Sequence, residues 1–138
     1  MVSKRRRNQR KGLATVECVM CLPLIILITF GTIDVCSAMF LKESITLAAY
    51  EASRVGIPRG GTDALATTRA QQVMDERGII YESGAVSISP SFETAGTLEH
   101  VTVTVTVPCA GNMFLTGDFF RGRVLQASVT LRKEFQNL

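Results

Sequence analysis

A single carboxylate, Glu17, stands at the lip of a long apolar run, and a dense basic cluster stands just before it. The cluster is Lys4, Arg5, Arg6, Arg7, Arg10 and Lys11, followed by Gly12-Leu13-Ala14-Thr15-Val16-Glu17. From Cys18 to Ile33 there is no charged residue. An acid at the edge of a membrane segment is expensive and marks a functional position. Two kinds of chemistry fit the spacing. Positive charge holds a leader at the cytoplasmic face, and a glycine before a scissile bond allows close backbone approach by a membrane protease. Cutting after Gly12 would free an amine on Leu13. Glu17, four residues along a helix, could pair with that amine or with the amine of a neighbouring subunit, which offsets its burial in apolar surroundings. It would also lie near the positive helix N-terminus. The alternative is a plain signal anchor in which Glu17 only touches the headgroups.

Other candidate chemistry is thin. His100 is the only histidine and opens a strand. No His/Cys/Glu group has metal-ligand spacing, so no cofactor is expected. Gly60-Gly61 lacks the lysine and spacing of a phosphate-binding loop. Cys18 and Cys21 form a CxxC pair, but inside the apolar run, away from the polar settings that such motifs use. Cys36 lies in the same helix. Cys109 alone falls in the distal part and cannot form a bridge within it; a buried thiol or an intermolecular bridge remains open.

The elements that must position Glu17 start with one long helix. Leu13 to Leu41 is about 29 residues, roughly 44 Å at helical rise, longer than a bilayer's hydrocarbon core. Pro23 lies inside it, which a membrane helix tolerates. Gly31, Asp34 and Ala38 mark a surface where another helix could approach, small residues allowing close contact. Helical character should run on to Arg54, its second half emerging into water, and Gly56 and Pro58 should stop it. Thr62 or Asp63 then caps a helix over about Ala64 to Arg77, with Ala66, Ala70, Val73 and Met74 on one face.

After Gly78 the period becomes two. Val86 and Ile88 alternate with serines. Val101, Val103, Val105 and Val107 alternate with threonines. Leu125, Ala127, Val129 and Leu131 alternate with Gln126, Ser128, Thr130 and Arg132. Three such segments predict an antiparallel sheet with one buried face, covered by the second helix. The expected fold class is α+β: a long N-terminal transmembrane helical stalk, then a small head with one helix on a roughly three-stranded antiparallel sheet. The expected layout is a basic leader over 1–12, a transmembrane and stalk helix over 13–55, a hinge over 56–62 and an extracytoplasmic head over 63–138. Met113, Phe114, Leu115, Phe119 and Phe120 break the strand pattern, either as a core-covering loop or as an exposed docking patch.

The chain has 138 residues and a formal net charge of +3. That charge is local. Without the basic leader, acids outnumber bases. A nucleic-acid-binding surface is therefore not expected, and no small-molecule substrate is indicated. The leader charge predicts a cytoplasmic N-terminus and an extracytoplasmic remainder.

The pattern Arg10-Lys11-Gly12, Val16-Glu17, Leu22-Pro23-Leu24 and Phe30-Gly31-Thr32-Ile33-Asp34 resembles the TadE-like family of the tight-adherence (Flp) pilus system. The run Ala48-Ala49-Tyr50-Glu51-Ala52-Ser53-Arg54 is similar to the stretch that follows the span there. Together these cover about residues 10–55. Cys18 and Val35-Cys36 depart from the aromatic and glycine residues common at those positions, and TadF- and TadG-type proteins share the amino-terminal pattern.

The resemblance implies a non-enzymatic minor pseudopilin in a bacterial inner membrane, single-pass and open to association with the pilus. It implies cleavage by an aspartic prepilin peptidase between Gly12 and Leu13. Glu17 becomes the fifth mature residue, and Asp34 matches the family's acid in the span. Expected partners are that peptidase, other pilin or pseudopilin subunits, inner-membrane pilus assembly proteins and the lipid bilayer. The competing readings are an uncleaved, membrane-anchored binding or sensor module, and a secreted protein with an ordinary signal peptide. The last lacks a small-x-small cleavage site after a short apolar core.

Overall fold

The computed structural model describes residues 4–113 and 122–134, with side chains from Gly12 onward. Two helices precede a three-stranded sheet: α1 (Lys4–Gly56), α2 (Asp63–Glu76), β1 (Val86–Ser89), β2 (His100–Pro108) and β3 (Val124–Arg132). The α+β class expected from the sequence is what the chain adopts. It divides into two compact units, one running to Val35 and the other from Cys36 onward.

Helix α1 is 53 residues long and contains Pro23. It starts upstream of the apolar run, at Lys4, because Lys, Arg and Gln are good helix formers and no Gly or Pro intervenes before Gly12. In the unit that runs to Val35, the described side chains, from Gly12 onward, are exposed apart from a half-buried Ile33 and Asp34.

In the second unit the sheet order is β1-β2-β3, antiparallel throughout. Val103 of β2 faces Ile88 of β1 on one side and Val129 of β3 on the other. The period of two does its work on β2: Val101, Val103, Val105 and Val107 are fully buried, while the threonines between them turn to the other face. There Thr102 and Thr130 hydroxyls hydrogen-bond at 2.8 Å, and Thr104 and Ser128 at 2.9 Å. These are cross-strand pairs of the kind that pin a register.

Helix α2 begins as its sequence dictates. The Thr62 side chain accepts a hydrogen bond from the Leu65 N–H, and Ala66, Ala70, Val73 and Met74 are the buried residues of the helix. The cover of the sheet is larger than the expected single helix. Leu41, Ile45, Ala48, Ala49 and Ala52 of α1 are also buried and belong to the same core. One face of this half of α1 is thus buried, while Lys42, Glu43, Thr46, Tyr50 and Arg54 on the other face are exposed. Its apolar residues recur at helical spacing, and the small alanines let the helix come close to its neighbours.

The turn after α1 is tightly packed. A Cβ on Gly61 would fall 2.2 Å from the carbonyl oxygen of Gly56. Phe92, fully buried, is held at this end by its backbone: its N–H donates to Asp63 Oδ1 at 2.7 Å, and its carbonyl accepts from the ammonium of Lys133.

Candidate functional site

Among the described residues, one helix is long and apolar enough to cross a membrane. It spans Gly12–Gly56, and its most apolar window has a mean hydropathy of 2.3. Leu13, Val16, Val19, Met20 and Leu22 to Ile28 with Phe30 present a nearly unbroken apolar surface. Two threonine hydroxyls within it are closed internally. Thr29 Oγ1 donates to the Ile25 carbonyl and Thr32 Oγ1 to the Ile28 carbonyl, both at 2.8 Å. A hydroxyl that bonds back to the preceding turn needs no water, which suits hydrocarbon surroundings.

The candidate processing residues lie at the head of this run. Gly12 and Leu13 are exposed, and the space around Gly12 is open. Glu17 is exposed and follows Leu13 by four residues, so the two share a face of α1. The side chains of Lys4, Arg5, Arg6, Arg7, Arg10 and Lys11 lie outside the described residues.

Gly31, Asp34 and Ala38 recur at helical spacing on one side of α1. Gly31 has nothing within 4 Å of where a Cβ would stand. Asp34 and Ala38 are half-buried.

Among its described residues the second unit carries no gathered chemistry. No group of three or more metal-ligating side chains occurs among the described residues. His100 is exposed and opposite Arg132. Cys109 is buried, whereas Cys18, Cys21 and Cys36 are exposed free thiols. A shallow groove of about 160 Å³ is lined by Glu82, Gly84, Thr106, Pro108 and Val124 among others, without converging titratable groups. Of the loop that breaks the strand pattern, Met113 is buried, while Phe114, Leu115, Phe119 and Phe120 lie outside the described residues.

Several contacts were not foreseen from the sequence. Lys133 is fully buried. Arg77 donates from Nη1 to Ser44 Oγ at 3.0 Å, and its guanidinium carbon lies 6.0 Å from the centre of the Phe40 ring. Lys42 donates its ammonium to the Gln126 carbonyl. Each joins residues far apart in sequence, which no local spacing could signal. Tyr81 donates its phenol O–H to Asp75 Oδ1 at 3.0 Å. That hydrogen bond, with smaller pushes from desolvation and from the Asp75 charge, raises the phenol above its ordinary value.

The family model for TadE-like proteins matches residues 12–54. The match begins at the glycine of the candidate scissile bond and ends near the close of α1, so the resemblance read from the sequence holds over that stretch. No curated protein and no solved structure matches the chain. The match and the apolar helix together fit a membrane-anchored protein related to a pilus system.

Proposed function

We propose that this chain is a minor pseudopilin, a structural subunit of a tight-adherence (Flp) pilus or a related secretion system. The observation that carries the reading is the coincidence of two boundaries. The TadE-like match starts at Gly12, and in the sequence the basic cluster ends at Lys11 and the apolar run opens at Leu13. A prepilin peptidase cuts between Gly12 and Leu13. The basic leader keeps the N-terminus cytoplasmic until then, and the unit from Cys36 onward lies outside the inner membrane. Glu17 acts in assembly, as the counter-ion of an amine, with Gly31, Asp34 and Ala38 facing neighbouring helices. The role is structural rather than catalytic, and the partners are other pilin-like subunits and inner-membrane assembly proteins.

Mass spectrometry of the amino terminus tests this directly. In cells with an active peptidase the mature chain should start at Leu13. A Met1 or Val2 start in such cells would remove the pseudopilin reading.

One feature favours a second reading. Helix α1 runs without a break through Gly12 and Leu13, and a protease must unwind a helix to reach its peptide bond. A chain that keeps this turn intact would be a permanently anchored extracytoplasmic binding or sensor module. The same spectrum separates the two.

A further inference from the structure

The unit from Cys36 onward has two ends, and the end at which the chain enters it is the more apolar. Three residues that are distant in sequence are gathered there. Phe40 stands one turn after Cys36 and is 57% exposed. Ile80 follows α2 and is 56% exposed; Val124 opens β3 and is 63% exposed. Hydrogen bonds tie their elements together. Arg77 reaches from the end of α2 to Ser44 and lies over Phe40. The Ile80 N–H donates to Asn112 Oδ1 and the Ile80 carbonyl accepts from Asn112 Nδ2, each at 2.7 Å, which fixes Ile80 beside the end of β2. Lys42 reaches the Gln126 carbonyl, two residues into β3 from Val124. At the opposite end, around Gly56, Asp63, Phe92 and Lys133, Leu65 and Leu98 are exposed, and the charged residues Arg59, Glu93 and Glu99 belong to the segments that meet there.

We propose that this end rests on the bilayer, with Phe40, Ile80 and Val124 inserted at the level of the lipid headgroups. The inference rests on the reading of α1 as a membrane helix. The occupant is a lipid surface because the chain enters this end directly after the apolar run of residues 18–33, and Met39 and Phe40 are exposed at that entry. Lys42, Arg77 and Arg123 bring basic groups to this end, with Lys42 and Arg77 held by the Gln126 carbonyl and the Ser44 hydroxyl. Acids are present too: Glu43, Asp75, Glu76 and Glu82. The rim is thus of mixed charge, and apolar insertion rather than attraction to anionic lipid holds it down.

The chain contains no tryptophan, so single reporters can be placed in the full-length protein. Ile80→Trp and Val124→Trp report on the rim, Leu98→Trp on the opposite end and Val19→Trp on the span. Each variant is reconstituted in phosphatidylcholine vesicles with bromine on the acyl chain near the headgroup. Emission from Val19→Trp, Ile80→Trp and Val124→Trp should shift to shorter wavelength and be quenched, while that from Leu98→Trp stays long and unquenched. Added phosphatidylglycerol or salt should change none of this. If the Val19→Trp reporter is quenched and both rim reporters are not, the docking is wrong and the membrane helix stands. If all four are unquenched, both fall. Equal quenching at Leu98→Trp, or rim quenching that appears only with anionic lipid, also overturns the proposal.

Discussion

The ring of Phe92 fills the space that a side chain on Gly56 would need. A Cβ built on Gly56 would stand 2.3 Å from Phe92 Cε2, inside any tolerable contact, and the ring is fully buried and cannot swing away. Gly56 is therefore more than a helix terminator: it lets the 90s loop close over the end of α1.

Gly56→Ala should destabilise the folded head by about 1–3 kcal/mol, the usual cost of forcing volume into a packed core. Urea unfolding of the full chain in detergent, followed by tyrosine absorbance, checks this. A change within error would mean that the loop carrying Phe92 moves aside easily.

The Phe92 carbonyl gives a second handle. Its partner is the ammonium of Lys133, a fully buried side chain. Lys133→Met keeps most of the stem's volume but leaves that carbonyl unpaired, a loss of about 1–3 kcal/mol. Lys133→Ala adds a cavity and should cost more, about 2–5 kcal/mol in total for a large-to-small core change. The same unfolding measurement ranks the two. A Met variant weaker than the Ala variant would show that packing of the stem is not what matters.

Lys133 also shows where sequence reading stops. It follows β3, beyond the alternating Leu125, Ala127, Val129 and Leu131, and nothing local distinguishes it from a surface lysine. Its burial depends on the loop at Phe92, some forty residues earlier in the chain. The strands themselves were legible because Val and Thr alternate strictly on β2. Helix α2 was legible because a capping threonine stands just before a regular apolar face. The stretch from Leu41 to Ala52 was legible as helix but not as core. Its alanines suit an exposed helix and a closely packed one equally well, and only the fold decides. At the amino end the charge pattern and the Leu13–Glu17 spacing were plain, since both depend on neighbours along one helix.

The Tyr81–Asp75 hydrogen bond makes a pH prediction. It uses the protonated phenol, so the folded chain holds that proton more tightly than the unfolded chain does. Its stabilisation is fully present below the ordinary tyrosine value and is lost as pH rises through the elevated value of the folded state. Ultraviolet titration should show a phenolate step above the ordinary range that vanishes in Tyr81→Phe and moves down in Asp75→Asn. A step unmoved by Asp75→Asn would assign the shift to burial instead.

Asp34 is half-buried on the side of α1 that carries Gly31 and Ala38. If this side meets another helix, Asp34→Asn removes a charge that a polar or basic partner uses, and less of the neighbouring subunits should co-purify. On translocon-insertion scales an aspartate at mid-bilayer costs about 2.5–3.5 kcal/mol, a cost that a helix–helix contact would offset. Association at the wild-type level would place Asp34 in the hydrated interface.

Glu17 separates the two readings of the whole chain. Replacing it with Ala makes insertion into lipid easier, because a carboxylate leaves the apolar run. A protein that is only anchored should therefore insert and behave as before. A pilus subunit should insert, and be cut after Gly12, yet fail to join its neighbours, because the amine freed on Leu13 has lost its counter-ion. Glu17→Gln should fail nearly as badly, since it keeps the shape and not the charge. Cross-linking of mature subunits in cells reads this out, with the amino-terminal mass confirming that cleavage occurred. Normal cross-linking of a processed Glu17→Ala chain would show that the charge pair does not drive assembly.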